Sequence, residues 1–149
     1  MKDLIEVLRL RVRYSETDQM GTFYNSRALE WFECARTELM RLLGFPYSEM
    51  EKRGVFLPLV DAHVEFLGRA RYDDLLVVYA KWSYVGRARI RFDIRINQAT
   101  TGHPVTRGYT TQAFVDATGR VTRPPAWLLD VLDKLPDPSA NGNLSTTKA

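Results

Sequence analysis

The chain has 149 residues, 45% hydrophobic and 26% charged, the make-up of one globular domain rather than a disordered or membrane-spanning polypeptide. No apolar run approaches the ~20 residues that cross a bilayer, and the opening Met1-Lys2-Asp3-Leu4-Ile5-Glu6 carries acids where a secretory signal is apolar, so a cytoplasmic location is expected. The net charge of +3 comes from basic residues interleaved with acids and without a base-stacking aromatic motif, which argues against a nucleic-acid partner, and a single cysteine, Cys34, excludes an internal disulfide or a cysteine metal cluster.

The first element predicted is a half-buried strand over 5–14, where Ile5, Val7, Leu8, Leu10 and Val12 alternate loosely with Arg9, Arg11 and Arg13. The period then changes. Ala28, Phe32, Ala35, Leu39, Leu42 and Leu43 recur every three to four residues, with Trp31, Cys34 and Met40 widening the stripe, so a nearly enclosed helix is predicted over 26–43. Asn25 or Ser26 is placed to cap its start, and Gly44 before Phe45-Pro46 supplies a left-handed stop.

A polar turn region is expected over 47–54, followed by four strand patterns over about 55–68, 75–85, 88–98 and 105–116. In the third of these, Ala88, Ile90, Phe92, Ile94 and Ile96 alternate without fault with Arg89, Arg91, Asp93, Arg95 and Asn97, giving one buried and one wet face. Short connections bearing Gly86, Gly102 and Gly119 suit antiparallel hairpins, and 125–135 reads as a short closing helix. The sum is an α+β layer in which one five-stranded antiparallel sheet wraps one long central helix, a single domain over 1–135. Residues 136–149 are too poor in apolar side chains to order themselves and are expected to form a flexible tail. Such a sheet leaves an edge exposed, which makes a homodimer or homotetramer the expected state.

Chemistry concentrates in the run Tyr14-Ser15-Glu16-Thr17-Asp18-Gln19-Met20-Gly21-Thr22-Phe23-Tyr24-Asn25, which leads straight into the helix. An ionised carboxylate just before a helix N-terminus sets a base or nucleophile beside unpaired backbone N–H groups able to hold a developing oxyanion. That combination suits acyl chemistry without a histidine. His63 alternates in a strand and His103 lies in a turn, neither near a Ser or Cys at motif spacing, so both read as structural, and no metal or cofactor is expected.

Three stretches together carry a family resemblance: Asp18 to Gly21 with Tyr24 and the later Arg36-Thr37-Glu38; Phe66-Leu67-Gly68-Arg69-Ala70-Arg71-Tyr72-Asp73-Asp74; and Arg123-Pro124-Pro125. Over roughly residues 5 to 133 the chain resembles the 4-hydroxybenzoyl-CoA thioesterase branch of the hotdog-fold proteins. The resemblance implies an acyl-CoA substrate, with Asp18 attacking the thioester carbonyl or activating water to do so. It implies that the backbone amide of Asn25 polarises the carbonyl oxygen, that Gly21 and Tyr24 meet the substrate, and that Arg87, Arg89 and Arg123 hold the coenzyme A phosphates, at a site shared between subunits. Many relatives carry His or Tyr where Asn25 stands, so only the amide is carried over. Alternatives on the same fold are an acyl-carrier-protein thioesterase and a non-catalytic acyl-CoA-binding protein. Arg91 and Arg95 read as the wet face of the sheet, and Cys34 as a core thiol.

Overall fold

The structure is a computed structural model that describes residues 3–134, so the tail expected over 136–149 lies outside the described residues. Among the described residues the elements are, in chain order, β1 (Ile5–Arg11), α1 (Arg27–Leu42), α2 (Tyr47–Lys52), β2 (Leu59–Phe66), β3 (Leu75–Val85), β4 (Arg89–Gln98), β5 (Pro104–Ala113) and α3 (Ala126–Leu132). All five strands join one antiparallel sheet in the order β1-β3-β4-β5-β2. The α+β architecture of one sheet on one long helix is therefore as expected.

The unbroken alternation in β4 does what its period dictates. Ile90, Phe92, Ile94 and Ile96 are buried toward α1, and Arg91 and Asp93 pair at 2.8 Å on the opposite face. There the Arg91 guanidinium lies 3.7 Å over the Tyr109 ring and Arg95 is exposed, so the wet-face reading of both arginines holds. From α1, Ala28, Phe32, Ala35 and Leu39 are fully buried against the sheet. The helix ends as its sequence dictates: Gly44 takes φ +85°, its N–H donates to the carbonyl of Arg41, and the Phe45 N–H reaches back to Met40, which satisfies carbonyls the last turn would otherwise orphan.

Several expectations are corrected. The region 47–54 is not a plain turn but holds α2, anchored by the fully buried Met50. The second strand begins at Leu59 instead of 55, because Pro58 has no N–H to give a ladder, and Phe56 makes only an isolated bridge to Val115. Neither Asn25 nor Ser26 caps α1 with its side chain. Cys34 is exposed and Leu29 is 40% exposed, so α1 is covered on one side only and Cys34 is no core thiol.

The pairing register fixes which turns share an end of the sheet. Arg11 faces Leu75, Leu76 faces Gln98, Asn97 faces Pro104 and Phe66 faces Thr106 at one end. Val85, Arg89 and Ala113 meet at the other. The ends are separated by the ten steps of β3, roughly 33 Å at the rise of an extended strand.

Candidate active site

The run that follows β1 folds into a miniature hairpin. A single 3₁₀ turn (Tyr14–Glu16) leads to Thr17, which bridges Phe23, while the Asp18 N–H donates to the Thr22 carbonyl at 2.9 Å and the Tyr24 N–H to the Glu16 carbonyl at 2.8 Å. Gly21 closes the tip at φ +76°, a conformation that costs a residue with a Cβ, and its N–H donates to the Asp18 carbonyl at 3.0 Å. Gly21 is thus the residue that lets the chain turn back toward α1.

On this hairpin Asp18 is half-buried. Its Oδ1 accepts the Met20 N–H at 2.8 Å, and Oδ2 has no hydrogen-bond partner among the described residues. The chain then enters α1 through a turn in which the Arg27 N–H donates to Tyr24 and the Ala28 N–H to Asn25. The amides of Asn25 and Ser26 donate to no group among the described residues, and no side chain caps them. Amides without an internal acceptor at the positive end of a 16-residue helix are the kind of arrangement that can stabilise an anion.

One residue that sequence reasoning left without a role holds this arrangement in place. Glu16 is 3% exposed, and its carboxylate accepts the Arg13 backbone N–H at 2.7 Å and the Trp31 indole N–H at 2.7 Å. Burial raises its pKa, but these hydrogen bonds and the nearby Arg13 cation outweigh it and leave the group below its ordinary value. Since Trp31 lies one turn into α1, Glu16 ties the hairpin to the helix that supplies the amides. The signal was an acid in the loop and a tryptophan in the helix, a pairing across 15 positions that no local period displays.

The loop is also fastened to the segment between β2 and β3. Thr22 Oγ1 accepts the Ala70 N–H at 3.1 Å and the Phe23 N–H donates to the Ala70 carbonyl at 2.8 Å, which brings Arg69 and Arg71 beside the acidic hairpin. Phe23 packs on Trp31 at 4.9 Å and approaches Phe66 at 6.1 Å between ring centres. With Met20 71%, Tyr24 51% and Phe66 54% exposed, an apolar surface runs from the loop to the free edge of β2. Tyr24 is held through its backbone N–H on the Glu16 carbonyl.

Of the residues singled out from sequence, Asp18, Gly21, Tyr24 and Asn25 thus come together. Arg87, Arg89 and Arg123 do not join them within one chain: all three are exposed at the opposite end of the sheet, Arg87 in the β3–β4 turn and Arg89 at the start of β4. His63 is exposed and stacks on Tyr109, and no group of three potential metal ligands occurs among the described residues. Among the described residues no helix is long and apolar enough to cross a membrane.

Comparison with known proteins agrees with this architecture. Residues 12–132 match the model of the thioesterase-like superfamily. The chain is 46% identical to YneP of Bacillus subtilis over 70 residues, 47% of this chain and about half (51%) of that protein. It is 35% identical over 92 residues to the acyl-CoA thioesterase YbgC of Haemophilus influenzae, covering 61% of this chain and 68% of that one. The crystal structure of a DHNA-CoA thioesterase from Staphylococcus aureus superposes with a TM-score of 0.76 at 29% identity, over 83% of each chain. The chain belongs to the thioesterase-like superfamily, with the hotdog fold that its sheet and helix describe.

Proposed function

We propose that the protein hydrolyses an acyl-CoA thioester to the free acid and coenzyme A, with Asp18 as the catalytic carboxylate and the Asn25 amide as oxyanion donor. The observation that carries this reading is the pairing of a hairpin carboxylate oxygen with an adjoining helix start, where neither that oxygen nor the amides of Asn25 and Ser26 have a hydrogen-bond partner among the described residues. The thioester carbonyl oxygen accepts the amide N–H. Asp18 either attacks the carbonyl carbon, giving an anhydride that water opens, or takes a proton from the attacking water. In both cases the C–S bond breaks and the sulfur leaves as the coenzyme A thiolate, a good leaving group that needs little help from an acid.

The edge of β2 supports a homodimer. Among the described residues its outer side pairs with no strand, Leu59 is 52% and Val60 45% exposed, and an exposed strand of this length invites a partner. A two-fold axis joining β2 to its copy in antiparallel fashion sets the partner's Leu59 end beside this chain's Phe66 end. The partner's Arg87, Arg89 and Arg123 then fall on the same side as Asp18, suited to coenzyme A phosphates. Within the same chain, Arg69 and Arg71 add further cations at that end.

Thiol release from a panel of short, long and aromatic acyl-CoAs tests the reading. Wild type should turn over at least one, and Asp18→Asn should be slower by about 10²–10⁴-fold, the usual contribution of a positioned acid or base. Equal rates for the two proteins would end the proposal. Carrier-protein-linked acyl groups, run in parallel, decide between coenzyme A and a carrier as the natural leaving group.

A further inference from the structure

A cavity apart from the hairpin lies between α1 and the sheet. It has a volume of about 320 Å³ and is lined by Arg36, Thr37 and Met40 of α1, Tyr47 of α2, and Phe92 and Gln112 of the sheet, with Leu57 and Glu33 completing the wall. The size falls in the range of small-molecule sites. Arg36 stands roughly 15 Å along α1 from the unspent amides, ten residues at the helical rise.

The polar groups in this cavity are unbalanced. Arg36 is half-buried and donates one N–H to Thr110 Oγ1 at 3.3 Å, and Gln112 Nε2 donates to the same hydroxyl at 3.2 Å. No carboxylate lies within ion-pair distance of Arg36 among the described residues, so most of its five N–H groups are left to find acceptors. The Tyr47 hydroxyl already accepts the Leu57 N–H at 3.0 Å, which leaves its own O–H free to donate. Glu33, the one carboxylate on the wall, is exposed. Burial pushes the Arg36 pKa down, partly offset by Glu33, as expected of a cation removed from water without a full set of partners. The cavity thus carries donors to spare on Arg36 and Tyr47, while the Glu33, Thr37 and Gln112 oxygens on its wall make no hydrogen bond to Arg36 among the described residues.

We propose that this cavity reads an oxygen acceptor, ionised or hydroxylic, at the far end of the acyl group, with Arg36 and Tyr47 donating to it while Met40, Leu57 and Phe92 line its chain. The inference rests on the thioesterase reading and specifies the substrate class within it: acyl groups with a polar end in preference to plain hydrocarbon acids. Arg36 is then a specificity residue, remote from the carbonyl.

The test compares three coenzyme A thioesters of equal chain length: the ten-carbon dicarboxylic acid monothioester, the 10-hydroxydecanoyl thioester and decanoyl-CoA. Wild type should favour the first two by about ten-fold or more in kcat/KM, the worth of a hydrogen bond to a charged group. Arg36→Gln should cut that preference by a similar factor, with Tyr47→Phe acting in the same direction. The acid and hydroxyl arms show whether charge or mere acceptance is read. Calorimetric binding of the same three compounds to Asp18→Asn gives the preference without turnover, so an absence of hydrolysis would sink the thioesterase reading while the binding ratio still decides the cavity. Equal binding of the three, or an Arg36→Gln protein that loses all substrates alike as its oligomer dissociates on a sizing column, would overturn the proposal and make Arg36 a structural cation.

Discussion

Glu16 shows how one buried acid sets the geometry around a neighbouring acid. Its two 2.7 Å hydrogen bonds, from Arg13 and Trp31, are made to the ionised form. Glu16→Gln replaces a charged acceptor by a neutral amide and should cost about 1–3 kcal/mol of stability. The pH dependence follows from the sign of the shift: the folded-state pKa is depressed, so the unfolded chain binds the proton more readily. The contribution is complete above the ordinary carboxylate value of about 4.3 and fades as pH falls through the folded value. Melting curves of wild type and Glu16→Gln should therefore differ at pH 7 and converge as pH falls through the depressed folded-state value, and a gap that persists at low pH would refute this account. Activity should fall with the substitution as well, because the hairpin loses its tie to α1. The placement of Asp18 beside the helix start was legible because carboxylate, turn glycine and helix start occupy one contiguous run, whereas the tie made by Glu16 appears only when the chain folds it against Trp31.

At the scale of elements, what could be read from the chain was whatever a local period or a single stop residue controls. The alternation of β4, the boundaries of β3 and the Gly44 stop of α1 are of that kind. The short α2 escaped because six residues hold one buried side chain, Met50, too few to show a helical repeat. Cys34 was misplaced because it follows Trp31 at helical spacing, yet it lies about 100° round the helix from Ala35, beyond the side that meets the sheet. A close approach between strands gives a sharp test of the packing. A Cβ built at Gly108 of β5 would collide with the His63 carbonyl of β2 and press on Phe32 of α1. Gly108→Ala should destabilise by about 1–3 kcal/mol, the cost of overpacking, and a melting temperature equal to wild type would show that the strands can part freely.

For the molecule as a whole, the strand order places β2 on the edge although it is second in sequence, and this long-range choice decides what the protein can meet. No local pattern announces it, and the same is true of the end of the sheet to which each arginine belongs. If the β2 edges pair, Val60→Lys should shift the protein toward monomer in analytical ultracentrifugation and lower specific activity most at low concentration. A dimer that survives the lysine would exclude this edge as the contact.

Asp18 and the Arg87–Arg89 turn sit at opposite ends of a sheet whose strand β3 is roughly 33 Å long, which carries a consequence for mixtures of chains if two β2 edges pair into a dimer. Take one inactive preparation bearing Asp18→Asn and another weakened by Arg87→Ala with Arg89→Ala. After exchange, half of the dimers are mixed, and in each of these one of the two clefts draws its acid and its arginines from unaltered halves, so about a quarter of all clefts regain function. Recovery of turnover on blending two crippled samples would be a direct genetic signature of machinery divided between chains.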